Sequence, residues 1–186
     1  MTDGVEVGWL EALYAHTDDP WNFRTSAYER AKFAATEAAL PRSRYTAGLE
    51  LGCGNGELAR RLAPRCAHYL GVDAVETALG AARTAAPQAR FELRVLPDEL
   101  PEGAYDLIVL SEILYFFGPS DIAVLADQID RRWPGADLLC VTWLGPSGNP
   151  LEGEAAFGGF RTASRRAFEL ERRAPLYRID VAGPLQ

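Results

Sequence analysis

The stretch LELGCGNGEL, residues 49–58, sets Gly52, Gly54 and Gly56 at every second position between a strand-like run and a helix-like one. Glycine permits the sharp corner and lets a ligand approach the backbone with no Cβ in the way. The helix start beyond offers unpaired N–H groups and a partial positive charge to an anionic group. In a parallel sheet, this strand-to-helix corner lies at the edge where ligands bind. The spacing departs from the dinucleotide fingerprint G-x-G-x-x-G, because Glu57 stands where its third glycine would be, and this counts against a nicotinamide or flavin cofactor.

The rest of the chain supplies the sheet. Short β-rich runs (AGLEL, YLGVD, FELRVL, YDLIVL, DLLCVTW) alternate with helix-like ones (GELARRLA, ETALGAARTAA, SDIAVLADQIDRRW). Alternation predicts an α/β fold with a mostly parallel sheet and helices on both faces, since parallel strands need crossover connections. DLIVL is apolar throughout, as a strand covered on both sides should be. Two strand-like runs near the end, AFELERRAP and LYRIDVA, predict a closing antiparallel hairpin. Upstream, Val7, Leu10, Leu13 and Tyr14 predict a short helix near residues 5–15. In the next helix Ser26 and Glu29 form a capping box, Ala27, Ala31, Ala34, Ala35 and Ala38 line one face, and Pro41 ends the run.

The 186 residues are expected to form one domain: an N-terminal helical lid (1–41), a cofactor-binding core (45–143), and an acceptor-side segment with the closing hairpin (144–186). A net charge of -7 argues against nucleic acid and favours a neutral or cationic substrate. No run approaches the length of a membrane span, so no membrane partner is expected. Three scattered cysteines and no leader-like start point to a reducing cytoplasm, with the chain a monomer or homodimer. His16 in a turn and His68 just before a strand lack a nucleophile partner, and no tight ligand spacing suggests a metal. The pairs Arg60-Arg61, Arg131-Arg132, Arg165-Arg166 and Arg172-Arg173 read as exposed faces.

Asp73 closes the second strand, 21 positions after Gly52, where an acid can accept both hydroxyls of a ribose. The third strand is expected to end at Leu96, with Pro97 beside it as a place for an adenine. Glu50-x-Gly52-x-Gly54-x-Gly56, then Asp73, then YDLIVLSEILYFF resembles the class I S-adenosylmethionine-dependent methyltransferases over about residues 45–143. DPWNFRTSAYERAKF, LAPRCAHYLGVD and LIVLSEILYFF further resemble the nodulation protein S family, whose namesake N-methylates an amino sugar of a chitooligosaccharide. That resemblance implies a Rossmann-like, seven-stranded sheet ordered 3-2-1-4-5-7-6, S-adenosylmethionine as methyl donor with S-adenosylhomocysteine as product, and an N-terminal segment folded over it. The segment after the fifth strand departs from the family's longer helical insertion and reads GNPLEGEAAFGGF.

The resemblance implies a cofactor set of Trp21, Arg24, Tyr28, Lys32, Glu50, Gly52, Cys53, Gly54, Asp73, Ala74, Leu96, Pro97 and Ser111, with Arg24 or Lys32 reaching the methionine carboxylate. Glu112, just past the fourth strand, is the candidate to attract and orient an acceptor amine or to act as its base, and the alternative is a cap on the following turn; Tyr115 as an aromatic wall and Trp143 as a sugar-stacking surface have core packing as their alternative. The expected reaction is methyl transfer to an amine of an amino sugar or aminoglycoside-like metabolite, as in antibiotic biosynthesis. A small-molecule O-methyltransferase and a non-catalytic cofactor-binding protein are the alternatives.

Overall fold

The structure, a computed structural model, describes residues 4–185. Its centre is a seven-stranded sheet in the order β3-β2-β1-β4-β5-β7-β6. The strands are β1 (Tyr45–Leu51), β2 (Cys66–Asp73), β3 (Arg90–Leu93), β4 (Leu107–Ser111), β5 (Asp137–Trp143), β6 (Phe168–Arg173) and β7 (Tyr177–Ala182). The first five pair in parallel, and β7 joins β5 and β6 antiparallel, so the alternation, the closing hairpin and the implied strand order are all present.

β4 shows why the apolar run belongs at the centre. Leu107 and Val109 pack into one core layer, while Ile108 and Leu110 pack into the other, because successive side chains in a strand point to opposite faces. The first layer also receives α2 (Ala27–Ala38), α3 (Ala59–Leu62) and α4 (Glu76–Ala85) through Phe33, Leu62, Leu79 and Ala82. The second is closed by α5 (Pro119–Arg132) and α6 (Gly153–Ala163) through Ile122, Leu125, Phe157 and Phe160. α1 (Val7–Tyr14) packs Leu10 and Tyr14 against Val75 and Ala78 at the start of α4.

Several expectations are corrected. β3 stops at Leu93, not Leu96, because its pairing with β2 ends at Asp73↔Leu93 and the chain then turns away. β2 begins at Cys66, so His68 lies inside a strand. α6 was not foreseen, since its glycine-rich sequence has poor helix propensity, and packing of Phe157 and Phe160 on the sheet overrides that deficit. Arg166 is buried, not on an exposed face: its guanidinium donates to Asp130 Oδ1 at 2.7 Å and to the carbonyls of Ala136, Trp133 and Gly183.

α2 buries a polar face. The Ser26 cap is in place, its hydroxyl accepting from Glu29 N at 3.2 Å. The alanines share one face, and the fold turns that face outward: Ala27, Ala31, Ala34 and Ala38 are exposed, while Glu29, Lys32, Phe33 and Thr36 point inward. Lys32 is received there by Glu112 from beyond β4, Glu29 pairs with Lys32 along the helix, and Thr36 Oγ1 donates to the Lys32 carbonyl.

Candidate active site

A cavity of about 630 Å³ opens at the carboxyl ends of β1, β2 and β4. Gly52, Cys53, Gly54, Asp73, Ala74, Leu96, Pro97, Ser111, Glu112, Tyr115, Trp143, Trp21, Lys32 and Glu50 all line it. Arg24 and Tyr28 do not; Arg24 is an exposed partner of Asp18, and Tyr28 stands edge-on behind Trp143, with ring centroids 6.2 Å apart.

The three glycines have different duties. All have positive φ, which an L side chain adopts only with strain. At Gly56 a Cβ would meet Ala82 Cα at 2.7 Å, so this glycine lets α4 pack against the loop. At Gly54 the nearest atom to a Cβ would be Tyr14 Oη at 3.5 Å, which leaves open cavity above bare backbone. Gly54 N donates to Asp73 Oδ2 at 2.8 Å, and Val75 N donates to Oδ1 at 3.1 Å. These bonds hold the carboxylate at the cavity edge with lone pairs to spare. Burial pushes the Asp73 carboxyl up from its ordinary value, and the backbone donors oppose the rise.

Glu50 is buried below the loop and accepts from Tyr69 Oη at 2.8 Å. Desolvation pushes its pKa up to about 8, with the Tyr69 hydrogen bond pulling down and the Asp73 charge adding to the rise. A cationic group entering the cavity would favour its ionised form.

The N-terminal segment closes one wall. Trp21 stacks on Phe23 and meets Tyr14 and Phe116 edge-on, and Val5 N donates to Phe116 O at 2.8 Å. Asp19, which sequence reading missed, accepts from Phe23 N and from Asn55 Nδ2, each at 2.8 Å. It thereby ties this segment to the glycine loop. Its signal in the sequence was slight: Asn55 occupies a position between motif glycines where many residues would serve.

At the opposite wall lies a cluster of charges. Lys32 is 1% exposed, and its Nζ donates to Glu112 Oε2 at 2.7 Å. The same nitrogen lies 2.7 Å from Glu29 Oε2 in an ion pair without hydrogen-bond geometry. The ammonium is further flanked by the rings of Tyr28 and Trp143, at 5.6 and 5.9 Å from their centroids. Glu112 has φ +57, unusual for a non-glycine residue and of the kind found where backbone strain is held at a functional site. Its Oε1 is buried without a hydrogen-bond partner. Burial pushes the Glu112 carboxyl up, while Lys32 pulls it down and the Glu29 charge pushes it up again. Burial likewise raises Tyr115, and Tyr28 is pushed up to about 12 by burial and the neighbouring Glu112 charge. Glu29 was not among the expected site residues, because in sequence it reads as half of a capping box.

Among the described residues, no group of three or more His, Cys, Asp or Glu side chains could hold a metal ion, and no helix is long and apolar enough to cross a membrane.

Comparison with known proteins fixes the family. Residues 49–133 match the methyltransferase domain family. A Pseudomonas syringae protein of known structure, described as a methyltransferase, is 33% identical and superimposes with a TM-score of 0.74 over 85% of this chain and 99% of its own. The chain belongs to the class I S-adenosylmethionine-dependent methyltransferases. Nodulation protein S of Rhizobium tropici is 30% identical over 142 residues, covering 74% of this methyltransferase and 56% of the relative. A ubiquinone biosynthesis O-methyltransferase of Hahella chejuensis is 33% identical over 119 residues, covering 61% of this chain and 48% of that one. The chain thus spans about half the length of these two curated relatives. The N-methyltransferase NodS of Bradyrhizobium japonicum, solved with S-adenosyl-L-homocysteine, shares the fold with a TM-score of 0.81 at 18% identity, covering 97% of this chain and 99% of its own.

Proposed function

We propose that this protein transfers a methyl group from S-adenosylmethionine to an amine of a small molecule, with an amino sugar or aminoglycoside-like metabolite as the acceptor. The observation that carries the reading is Glu112 Oε1, a buried carboxylate oxygen without a hydrogen-bond partner, at a strained position on the cavity wall. A buried acceptor left unfilled costs free energy unless a ligand donor meets it. A protonated amine is such a donor.

The donor half of the cavity fits a nucleoside. Gly54 leaves its backbone open, and Asp73 is held with spare acceptor capacity for two ribose hydroxyls. Leu96 and Pro97 supply an apolar edge for a base, and Glu50 and Trp21 complete the wall. Bound S-adenosylmethionine would supply an electrophilic methyl group on a positively charged sulfur, so the protein needs no nucleophile of its own. Its own part is to hold the acceptor nitrogen in place and relieve it of a proton. Glu112 takes that proton, leaving a neutral nitrogen with its lone pair, while Tyr115 and Trp143 enclose the acceptor. Arg24 is left without a part in this arrangement, and the Lys32 ammonium is committed to two carboxylates.

Calorimetric titration with S-adenosylhomocysteine tests the donor half. Saturable binding that Asp73→Ala weakens about tenfold or more is expected, because hydrogen bonds to a charged group are each worth about 1.5–3 kcal/mol. Binding of NADH in its place would sink the reading.

A further inference from the structure

α2 carries a second carboxylate into the same cavity. Glu29 is 9% exposed, lines the cavity and directs its side chain at Lys32. In a capping box the third helical residue reaches back to the Ncap backbone N–H. Here Ser26 makes its half of the box and Glu29 instead turns inward toward Lys32. Two carboxylates therefore flank one ammonium, leaving one negative charge in excess in a pocket otherwise walled by aromatic rings. Glu112 Oε1 is buried without a hydrogen-bond partner, and Glu29 Oε2 meets only the Lys32 ammonium, at 2.7 Å and without hydrogen-bond geometry.

That pattern differs from a structural ion cluster, in which every donor and acceptor is used. An ammonium carries two or three N–H donors and one positive charge; it would neutralise the excess charge and donate to Glu112 Oε1. A hydroxyl brings one donor and no charge, and it would leave the excess negative charge unbalanced.

We propose that Glu29 is a specificity-determining residue, forming with Glu112 across Lys32 a two-carboxylate clamp that selects an acceptor carrying a primary or secondary ammonium. This rests on the amine reading given above and names the group that enforces it. Within the clamp an acceptor N–H bond breaks, its proton passes to a Glu112 carboxylate oxygen, and the electron pair stays on nitrogen. Glu29 keeps the excess negative charge that holds the amine before that transfer. It also sets the pH at which Glu112 accepts a proton. The ionisable groups facing Glu112 are Lys32, Glu29 and Tyr28 from α2 and Tyr115 beyond β4, and the Glu29 charge raises the affinity of Glu112 for a proton.

The test compares wild type, Glu29→Gln and Glu29→Asp in methyl transfer to glucosamine, putrescine and benzylamine, with glucose and benzyl alcohol as neutral counterparts. Expected for Glu29→Gln is a rise of at least tenfold in KM for the amines and a shift of the acid limb of kcat/KM to lower pH. Its S-adenosylhomocysteine affinity should stay within twofold of wild type, and Glu29→Asp should recover part of the KM loss. Amine methylation with KM and acid limb unmoved in Glu29→Gln overturns the clamp and leaves the proposed function standing. A lower Tm with no KM change does the same, since it would make Glu29 structural. Methylation of the hydroxyl compounds alone overturns both.

Discussion

Helices α2 and α5 bury the same geometric face with opposite chemistry. α5 turns inward Ile122, Leu125, Ala126 and Ile129, and α2 turns inward Glu29, Lys32, Phe33 and Thr36. Both sets recur at i, i+3, i+4 and i+7, the spacing of one helical face. α5 is thus the amphipathic helix that a hydrophobic pattern announces, and it seals the core. α2 places ions where a core would be, and a helix that carries a site can do so only because partners elsewhere in the fold receive them. The buried ions themselves divide the same way. Asp130 of α5 is satisfied by Arg166, whose remaining donors go to backbone carbonyls. The Glu29–Lys32–Glu112 cluster leaves Glu112 Oε1 without a hydrogen-bond partner and carries one carboxylate more than its single ammonium balances.

The widest separation between the two helices should come from Lys32→Met. Removing one partner of a buried ion pair costs about 3–5 kcal/mol, because the remaining charges stay uncompensated. The loss should depend on pH. Burial already raises the Glu112 carboxyl above its ordinary value of 4.5, so its contribution to stability is intact below that value and declines as pH rises through the folded-state pKa. Lys32 pulls that pKa down, so Lys32→Met raises it further, and the gap from wild type should widen from pH 5 to pH 8 in denaturant titrations. A gap that narrows with pH would mean that the cluster is not ionised as described.

Leu125→Ala on the sealing helix should cost about 2–5 kcal/mol, the usual range for a large-to-small change in a packed core. Folded Leu125→Ala protein should still bind S-adenosylhomocysteine with wild-type affinity. If it bound poorly while Lys32→Met lost no amine affinity, the division of labour between α5 and α2 would collapse. The smallest effect is expected from Ser26→Ala, which removes the α2 cap at a cost of about 1 kcal/mol. Because that cap fixes the first turn, which carries Glu29, the variant should raise the amine KM more than the S-adenosylhomocysteine Kd, as steady-state kinetics alongside calorimetry would reveal.

Much of the donor side could be read directly from the sequence. Gly52, Gly54 and Asp73 sit where the strand-to-helix corners place them, and the pairing of β1 with β2 brings the two corners together so that Gly54 N donates to Asp73 Oδ2. The strands of the parallel core were legible because β4 and β5 are apolar runs buried on both faces. The order of all seven strands came from family resemblance and not from periodicity. The acceptor side was only half legible. Glu112, Tyr115 and Trp143 line the cavity from positions that follow β4 and end β5, whereas Glu29 reads in the sequence as half of a capping box.

What the sequence determined by itself is whatever short-range physics controls: the glycine corner, the Ser26 cap, the alternation of strands and helices, and the apolar face of α5. The tertiary structure alone decided which side of α2 faces inward. Phe33 enters the core from that side, and Glu112, 80 positions away from Lys32 in the chain, accepts from its ammonium at 2.7 Å. Helical spacing specifies which residues share a face. Whether a face carrying Glu29 and Lys32 is solvated or buried depends on whether opposite charge awaits it, and only the folded chain brings that charge into place.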